Sequence, residues 1–330
     1  MRTIGIIGSG YYVPDRIMTN FDLEKSLNTS DAWIVAKTGI RERRIAEPGQ
    51  ATSDLAVKAA HQAIINANLN VRDIDLIVLA TSTPDMIQPA TAAIVQSNLG
   101  TLNAVAFDVS SVCTGFIYAL TVAHAMMLAD VTYKKALVIG AETYSRILDW
   151  NDRKTCVFFG DGAGAVTLGD VPADLGIKST FLKTDGSGAN VIRFAAGGSR
   201  YPTSSETLKN NMHRFEMDGP KVWDFAVKAF PEAVRNVVGK SGCCVGDISK
   251  LISHQANINI IKHSMEDLGL SLDKTYTNLD KYGNTSGASI PIALAEAHTK
   301  GFFSKNDNVV LVGFGGGLSS GAVFLKWALE

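Results

Sequence analysis

Short, nearly continuous apolar runs recur along this chain, separated by stretches whose apolar positions follow helical spacing. Leu76 to Ala80 and Ala136 to Ile139 are runs of the first kind. Strands that apolar are buried on both faces, so they belong in a sheet covered by helices on both sides. Phe116 to Leu128 and Ile258 to Leu268 carry helical patterns, and Val166-Thr-Leu168 reads as a strand. The pattern repeats. Asp73-Ile-Asp-Leu-Ile-Val78 resembles Asp247-Ile-Ser-Lys-Leu-Ile252, an offset of 247 − 73 = 174, and Leu137-Val138 returns as Leu311-Val312 at the same offset. Ala56-Val-Lys-Ala59 recurs as Ala226-Val-Lys-Ala229. Each half predicts helix, strand, turn plus helix, strand, which makes an α/β fold of two similar halves. Val171-Pro-Ala-Asp-Leu-Gly176 is the expected joint, dividing the chain into 1–172 and 173–330.

Three polar punctuations interrupt the apolar pattern. Cys113 closes Phe107-Asp-Val-Ser-Ser-Val-Cys113 where a strand gives way to a helix. The positive end of that helix is expected to favour thiolate over thiol. His254 and Asn284 stand in Ser253-His-Gln-Ala-Asn257 after a strand and in Tyr282-Gly-Asn-Thr-Ser-Gly287 before a helix. Singly, such a cysteine reads as core, the histidine as structural and the asparagine as a cap. Together, a cysteine with a distant His and Asn is a recipe for covalent acyl chemistry. A pseudo-dyad between the halves would carry Cys113 to Gly287 and bring the three to one place.

The bulk composition narrows the partners. With 330 residues, 46% hydrophobic, 19% charged and a formal net charge of −1, the chain has no basic surplus for nucleic acid. Its N-terminus is soon broken by Gly8 and Pro14, unlike a signal peptide. No apolar run approaches the ~18 residues that span a bilayer, so a cytoplasmic location and no membrane partner are expected. Cys113, Cys156, Cys243 and Cys244 show neither metal spacing nor a disulfide framework, and Cys156 reads as a buried strand residue. Gly8-Ser-Gly10 and Gly160-Asp-Gly-Ala-Gly-Ala165 lack the strand–turn–helix context of nucleotide fingerprints, so no NAD, phosphate loop or metal is expected. Residues 185–215 form a polar, Gly-rich excursion, a cover or a mobile segment by its length.

The sequence resembles the beta-ketoacyl-ACP synthase III family of thiolase-like condensing enzymes. The resemblance runs from Gly8 to the C-terminus through Thr29-Ser-Asp-Ala-Trp-Ile-Val35, Thr38-Gly-Ile-Arg-Glu-Arg43, Phe159-Gly-Asp-Gly-Ala-Gly164, His254-Gln-Ala-Asn257, Gly283-Asn-Thr-Ser286 and Phe314-Gly-Gly-Gly317. It implies a five-layered α-β-α-β-α thiolase fold, a homodimer, and no cofactor beyond coenzyme A thioesters as substrates. It gives Cys113 the role of acyl carrier, and His254 and Asn284 that of holding a malonyl thioester carbonyl during decarboxylation. The amides of Cys113 and Gly316 become the acyl oxyanion hole. Trp33, Lys37 and Arg153 fall at coenzyme A positions, with Lys37 where an arginine is common, and Gln88 falls at an acyl-pocket position that reaches across the dimer.

Departures from the family bear on the substrates. Asp224, Asn259, Glu266 and Asp267 occupy positions where relatives carry cations for an acidic acyl carrier protein, with Lys221, Lys228 and Lys262 as compensation. Gln88 replaces an aromatic, and Leu318-Ser-Ser320 replaces an aromatic followed by Thr-Trp. These changes favour a specialised starter unit and weakened carrier recognition. The principal alternative passes the Cys113-bound acyl group to an amine, alcohol or diketide. A papain-like hydrolase is disfavoured by the setting of the cysteine, a thiolase by the lack of a second cysteine near Gly315 to Gly317, and a non-catalytic subunit by the intact triad.

Overall fold

The strands and helices follow the apolar pattern closely. In chain order the strands are β1 (Ile4–Tyr12), β2 (Ile17–Thr19), β3 (Glu42–Arg44), β4 (Leu76–Ala80), β5 (Val105–Val109), β6 (Ala136–Thr143) and β7 (Asp161–Asp170). They continue as β8 (Gly176–Thr184), β9 (Ile192–Phe194), β10 (Phe215–Met217), β11 (Lys250–Ser253), β12 (Asn308–Gly315) and β13 (Ser319–Lys326). The helices are α1 (Asn20–Glu24), α2 (Asp31–Thr38), α3 (Thr52–Asn66), α4 (Thr91–Leu99) and α5 (Gly115–Ala129). After them come α6 (Ser205–Lys209), α7 (Gly219–Lys240), α8 (Ile258–Asp267), α9 (Leu279–Tyr282) and α10 (Ser289–Thr299). The computed structural model describes residues 2–330.

Two mixed sheets carry the fold. The first has the order β1-β7-β6-β4-β5 and the second β8-β13-β12-β11. In both, one parallel pair (β4 with β6, β11 with β12) is followed by the same antiparallel neighbours. The 174-residue offset reappears in three dimensions. Strands β4 and β11 open at Leu76 and Lys250 (250 − 76 = 174), and α5 and α10 at Gly115 and Ser289 (289 − 115 = 174). Strand β5 has no counterpart, since the equivalent stretch becomes the short helix α9.

Helices α3 and α4 cover the outer face of the first sheet, and α7 and α8 that of the second. Helices α5 and α10 lie between the sheets, giving five layers, α-β-α-β-α. One apolar run departs from the expectation that none reaches the length of a bilayer span, and this arrangement explains it. Val112 to Ala129 is a continuous helical stretch of 18 residues with a mean hydropathy of 1.7, long and apolar enough to cross a membrane. Its composition follows from its place between two sheets, where Phe116, Leu120 and Met127 are fully buried. Burying each such side chain contributes about 2 kcal/mol.

The halves approach each other through glycines. A Cβ on Gly140 of β6 would lie 2.4 Å from the Gly287 carbonyl oxygen, and one on Gly164 of β7 would lie 2.4 Å from the Ile292 amide nitrogen. Only glycine lets the start of α10 sit this close to the first sheet. Cys156, expected in a strand, is instead buried in the turns before β7, where Arg43 and Trp150 surround it. The excursion at 185–215 contains α6 and strand β9, which pairs with β10 where the excursion ends.

Candidate active site

Cys113 sits in a single 3-10 turn, Val112 to Thr114, that joins β5 to α5. The turn is strained. Val112 has φ = 45°, a left-handed conformation that a β-branched residue rarely adopts. Its counterpart 174 positions on, Ser286, has φ = 48° in the turn that opens α10. The two strained turns touch: Cys113 Sγ lies 3.4 Å from Ser286 Oγ. Gly315 closes the third side, because a Cβ there would stand 2.7 Å from the Cys113 Cβ.

The thiol does not behave as its position at a helix start predicts. Burial pushes it up to about 12, and the nearby Glu142 carboxylate acts in the same direction. The Ser286 hydroxyl and the amides of Cys113 and Gly316 pull the other way without prevailing. Removing the sulfur from water outweighs the helix field, so the resting group is a thiol.

His254 and Asn284 reach the same cavity from the second half. His254 follows β11, and its amide donates to the Val312 carbonyl, which extends the ladder by one residue. Its ring is T-stacked on Phe314 at 5.2 Å, and its Nδ1 lies 2.6 Å from Ser289 Oγ. Burial holds its pKa down at about 3, so the imidazole is neutral. Asn284 is fixed at both ends. Its amide donates to Phe158 O at 2.8 Å, and its Oδ1 accepts the Ser286 N–H at 2.8 Å. That bond occupies the carboxamide oxygen and leaves the NH2 for the cavity.

Two residues absent from the sequence reading complete the neighbourhood. Glu142, at the end of β6, is fully buried. It accepts hydrogen bonds from Thr83 Oγ1 (2.6 Å), Ser82 Oγ (2.8 Å) and the Gly287 amide (3.4 Å), tying the 81–83 loop to the turn at Ser286. A single carboxylate ending the otherwise apolar run Ala136–Ala141 was the signal for it. Tyr144, two residues on, stacks on Phe159 at 4.6 Å and meets Phe215 edge-on.

Burial pushes Glu142 up to about 7 against these hydrogen bonds. Its folded pKa is therefore above its unfolded one, and the folded state holds the proton more tightly. The stability linked to it is complete below about pH 4.5 and is lost as pH rises through about 7, a total of about 3 kcal/mol. Glu142→Gln removes this dependence. In urea unfolding at pH 4.5 and 8, the wild type loses about 3 kcal/mol more than the variant.

The cavity at Cys113 holds about 90 Å³ and is mainly apolar. It opens into a surface cleft of about 960 Å³, with Phe158, Met217, Gly219, Trp223 and Asn257 lining both. The cleft contains Trp33, Lys37 and Arg153. The Arg153 guanidinium lies 5.3 Å from the centre of the Trp33 ring, and the 38% exposure of Trp33 marks it as a surface residue of α2 rather than core. Strands β9 and β10 frame the inner cavity through Ile192, Phe215 and Met217, so the excursion covers the site. Gln88 does not join it. The 86–88 loop is exposed, with Ile87 at 82%, and Gln88 lines none of these cavities within the chain.

Of the residues expected to meet a carrier protein, Lys221, Lys228 and Asp224 on α7 and Lys262 and Glu266 on α8 are exposed. Asp267 pairs with Arg235 at 2.9 Å and Lys221 with Asp218 at 3.0 Å. Asn259 donates to the carbonyls of Ala36 and Lys37, fastening α8 to the end of α2.

Five layers built from two similar halves, with a cysteine at the start of one central helix and His and Asn beside the other, define a thiolase-fold condensing enzyme. The comparisons with known proteins agree. The family model for 3-oxoacyl-[acyl-carrier-protein] synthase III matches residues 107–186, and the model for its C-terminal part matches 238–327. Beta-ketoacyl-[acyl-carrier-protein] synthase III of Caldanaerobacter subterraneus is 51% identical over 98% of both chains, and that of Clostridioides difficile is 51% identical over 98% of both. The crystal structure of 3-oxoacyl-[acyl-carrier-protein] synthase III from Aquifex aeolicus superposes with a TM-score of 0.91 at 41% identity, covering 98% of this chain and 100% of that one. The chain belongs to the beta-ketoacyl-ACP synthase III family.

Proposed function

We propose that the protein takes an acyl group from coenzyme A onto Cys113 and condenses it with a malonyl thioester. In the first step Cys113 Sγ bonds to the thioester carbonyl carbon. The tetrahedral oxyanion rests on the amides of Cys113 and Gly316, and the carbon–sulfur bond to coenzyme A breaks. The thiol proton leaves with the coenzyme A thiolate, so the step yields acyl-enzyme and free coenzyme A.

In the second step the malonyl unit loses carbon dioxide, and the electron pair of the broken carbon–carbon bond becomes an enolate. His254 and the Asn284 NH2 donate to its oxygen, each contributing about 3 kcal/mol. Ser289 Oγ accepts the Gln255 amide at 3.2 Å and lies 2.6 Å from His254 Nδ1; with Ser289 donating to Nδ1, the ring proton sits on Nε2, the tautomer this step requires. The enolate carbon then attacks the acyl carbonyl, the carbon–sulfur bond to Cys113 breaks, the departing thiolate takes a proton from solvent to regenerate the thiol, and a 3-oxoacyl thioester is released.

The observation that carries this reading is the meeting of Cys113, His254 and Asn284 around one small apolar cavity, where water is scarce and donors are preset. The cleft leading to it fits coenzyme A, with the adenine between Trp33 and Arg153 and the phosphates near Lys37. Arg153→Ala is expected to raise KM for acyl-CoA about fivefold, more than it lowers kcat, measured by initial rates over donor concentration. The relatives' names favour acyl carrier protein as the malonyl carrier, met here by a mouth of mixed charge. Exposed Val105 on the edge strand β5 and the apolar Met86–Ile87 loop favour a second copy as partner.

The test is a two-stage reaction: acetyl-CoA first, then malonyl-ACP or malonyl-CoA, with thioester products read by mass spectrometry. A 3-oxoacyl thioester from either extender supports the reading, and the better extender names the carrier. An acyl-enzyme that yields no condensed product with either would favour transfer to a non-malonyl acceptor.

A further inference from the structure

Cys113 meets its donor as a thiol, so a base has to take the proton while the sulfur attacks. His254 is poorly suited to that task. It is a weak base, and in the tautomer that condensation requires Nε2 already carries a proton while Nδ1 lies 2.6 Å from Ser289 Oγ.

A row of hydroxyls leads from the sulfur, away from the cavity, to a carboxylate. Cys113 Sγ lies 3.4 Å from Ser286 Oγ. The Ser286 hydroxyl is also a hydrogen-bonding neighbour of the Tyr144 hydroxyl. Tyr144 Oη stands 3.2 Å from Ser82 Oγ, and Ser82 Oγ stands 2.8 Å from Glu142 Oε1. Glu142, Tyr144 and Ser286 are buried, so bulk water does not break the row. Each hydroxyl holds one proton and can turn, so the row can point either way. With Ser82 donating to Glu142, Tyr144 donates to Ser82 and Ser286 to Tyr144. Ser286 Oγ is then open to accept the thiol S–H.

The surroundings of Glu142 suit a group that gains and loses a proton. The 81–83 loop offers it the Thr81, Ser82 and Thr83 hydroxyls and the Ser82 amide, and the turn before α10 offers the Gly287 amide. Among the described residues no cationic side chain pairs with it. Its titratable neighbours are Cys113, from the turn before α5, and Tyr144, just past β6. On β7 its partner is Gly162, and the adjacent Asp161 is turned to Ser145 and the Ala46 amide. Donors favour the ionised carboxylate and burial the neutral one, so neither form is locked in.

We propose that Glu142 is the proton acceptor for Cys113: through Ser82, Tyr144 and Ser286 it takes the thiol proton during attack on the acyl thioester and returns it to the leaving coenzyme A sulfur. This rests on the acyl-enzyme reading above. As Sγ bonds to the carbonyl carbon its S–H bond breaks, each hydroxyl gains one proton and passes one on, and an O–H bond forms on Glu142. The protonated carboxyl then donates to Ser82 and the row stands reversed. The leaving sulfur shares the tetrahedral carbon with Cys113 Sγ, beside Ser286. When its bond to that carbon breaks, the row runs back and coenzyme A departs as the thiol.

The experiment follows single-turnover acyl-enzyme formation from acetyl-CoA by rapid quench and intact mass between about pH 5.5 and 8.5, for wild type, Glu142→Gln and Tyr144→Phe. Circular dichroism and size exclusion check that each variant folds. In the wild type the rate should rise about tenfold per pH unit and level off above about pH 7, where the carboxylate is ionised. Glu142→Gln keeps the shape and loses the base, so loading should slow at least about 100-fold and the inflection near pH 7 should vanish. Tyr144→Phe keeps the packed ring and cuts the row, so it should slow loading at least about tenfold and also lose the inflection. A purely electrostatic role has the opposite sign: the Glu142 charge opposes a thiolate, so Glu142→Gln would load faster. Faster or unchanged loading in Glu142→Gln, an inflection that survives in it, or a folded Tyr144→Phe with the wild-type profile overturns the proposal while leaving the acyl-enzyme intact. Wild type that gains no acyl group at any pH sinks the acyl-enzyme reading, and this inference with it.

Discussion

Cys113→Ala abolishes acyl loading. After incubation with acetyl-CoA the wild type gains one acyl group by intact mass, whereas the variant stays at the mass of the free chain, its loading reduced by a factor on the order of 10⁴ or more. No other thiol can take over within the site. Cys156 is buried in a turn outside the cavity, and Cys243 and Cys244 lie at a turn after α7. The substitution keeps the Cβ against which Gly315 packs and removes only the sulfur, so the strained turn at Val112 retains its neighbours. An acyl adduct that persists in the variant would end the nucleophile assignment, and peptide mapping would show which residue holds it.

Asn284→Ala leaves that first step in place and lowers condensation by about 10²- to 10³-fold, the effect of deleting one oxyanion donor. The measurement is separate: acyl-enzyme by mass, then 3-oxoacyl product after malonyl thioester is added. Asn284→Asp is the companion variant. It keeps an oxygen to accept the Ser286 N–H, so the turn stays anchored, but it turns the NH2 into a carboxylate that repels an enolate. Condensation should fail in both. A histidine held at a pKa of about 3 is neutral across pH 5–8, so the condensation rate should show no histidine inflection near pH 6.5. Equal loss of loading and condensation in Asn284→Asp would refute the division of labour between Cys113 and the second-half residues.

Some of this was readable along the chain and some was not. The apolar runs named the central strands, and the 174-residue offset named the pairing of β4 with β11 and α5 with α10 as equivalents. Cys113, His254 and Asn284 stood out because each is a polar group where an apolar element ends, a local property. The same rule would have found Glu142, which closes an apolar strand, had it been applied to charge as well as to nucleophiles. Gln88 shows the opposite limit: its expected place is across the dimer, and within one chain its loop faces outward while Tyr144 lines the chamber.

The sequence by itself determined the element types, the duplicated halves and the three reacting side chains, because period, turn chemistry and residue type act over a few neighbours. Only the tertiary structure decided the state of those groups. Whether the helix field or burial governs Cys113, how far the Tyr144 ring stands from Ser82, and which residues share the 90 Å³ chamber all depend on the docking of two sheets through Gly140 and Gly164. Desolvation and distance are sums over atoms brought together from both halves of the chain, and no local stretch of sequence contains them.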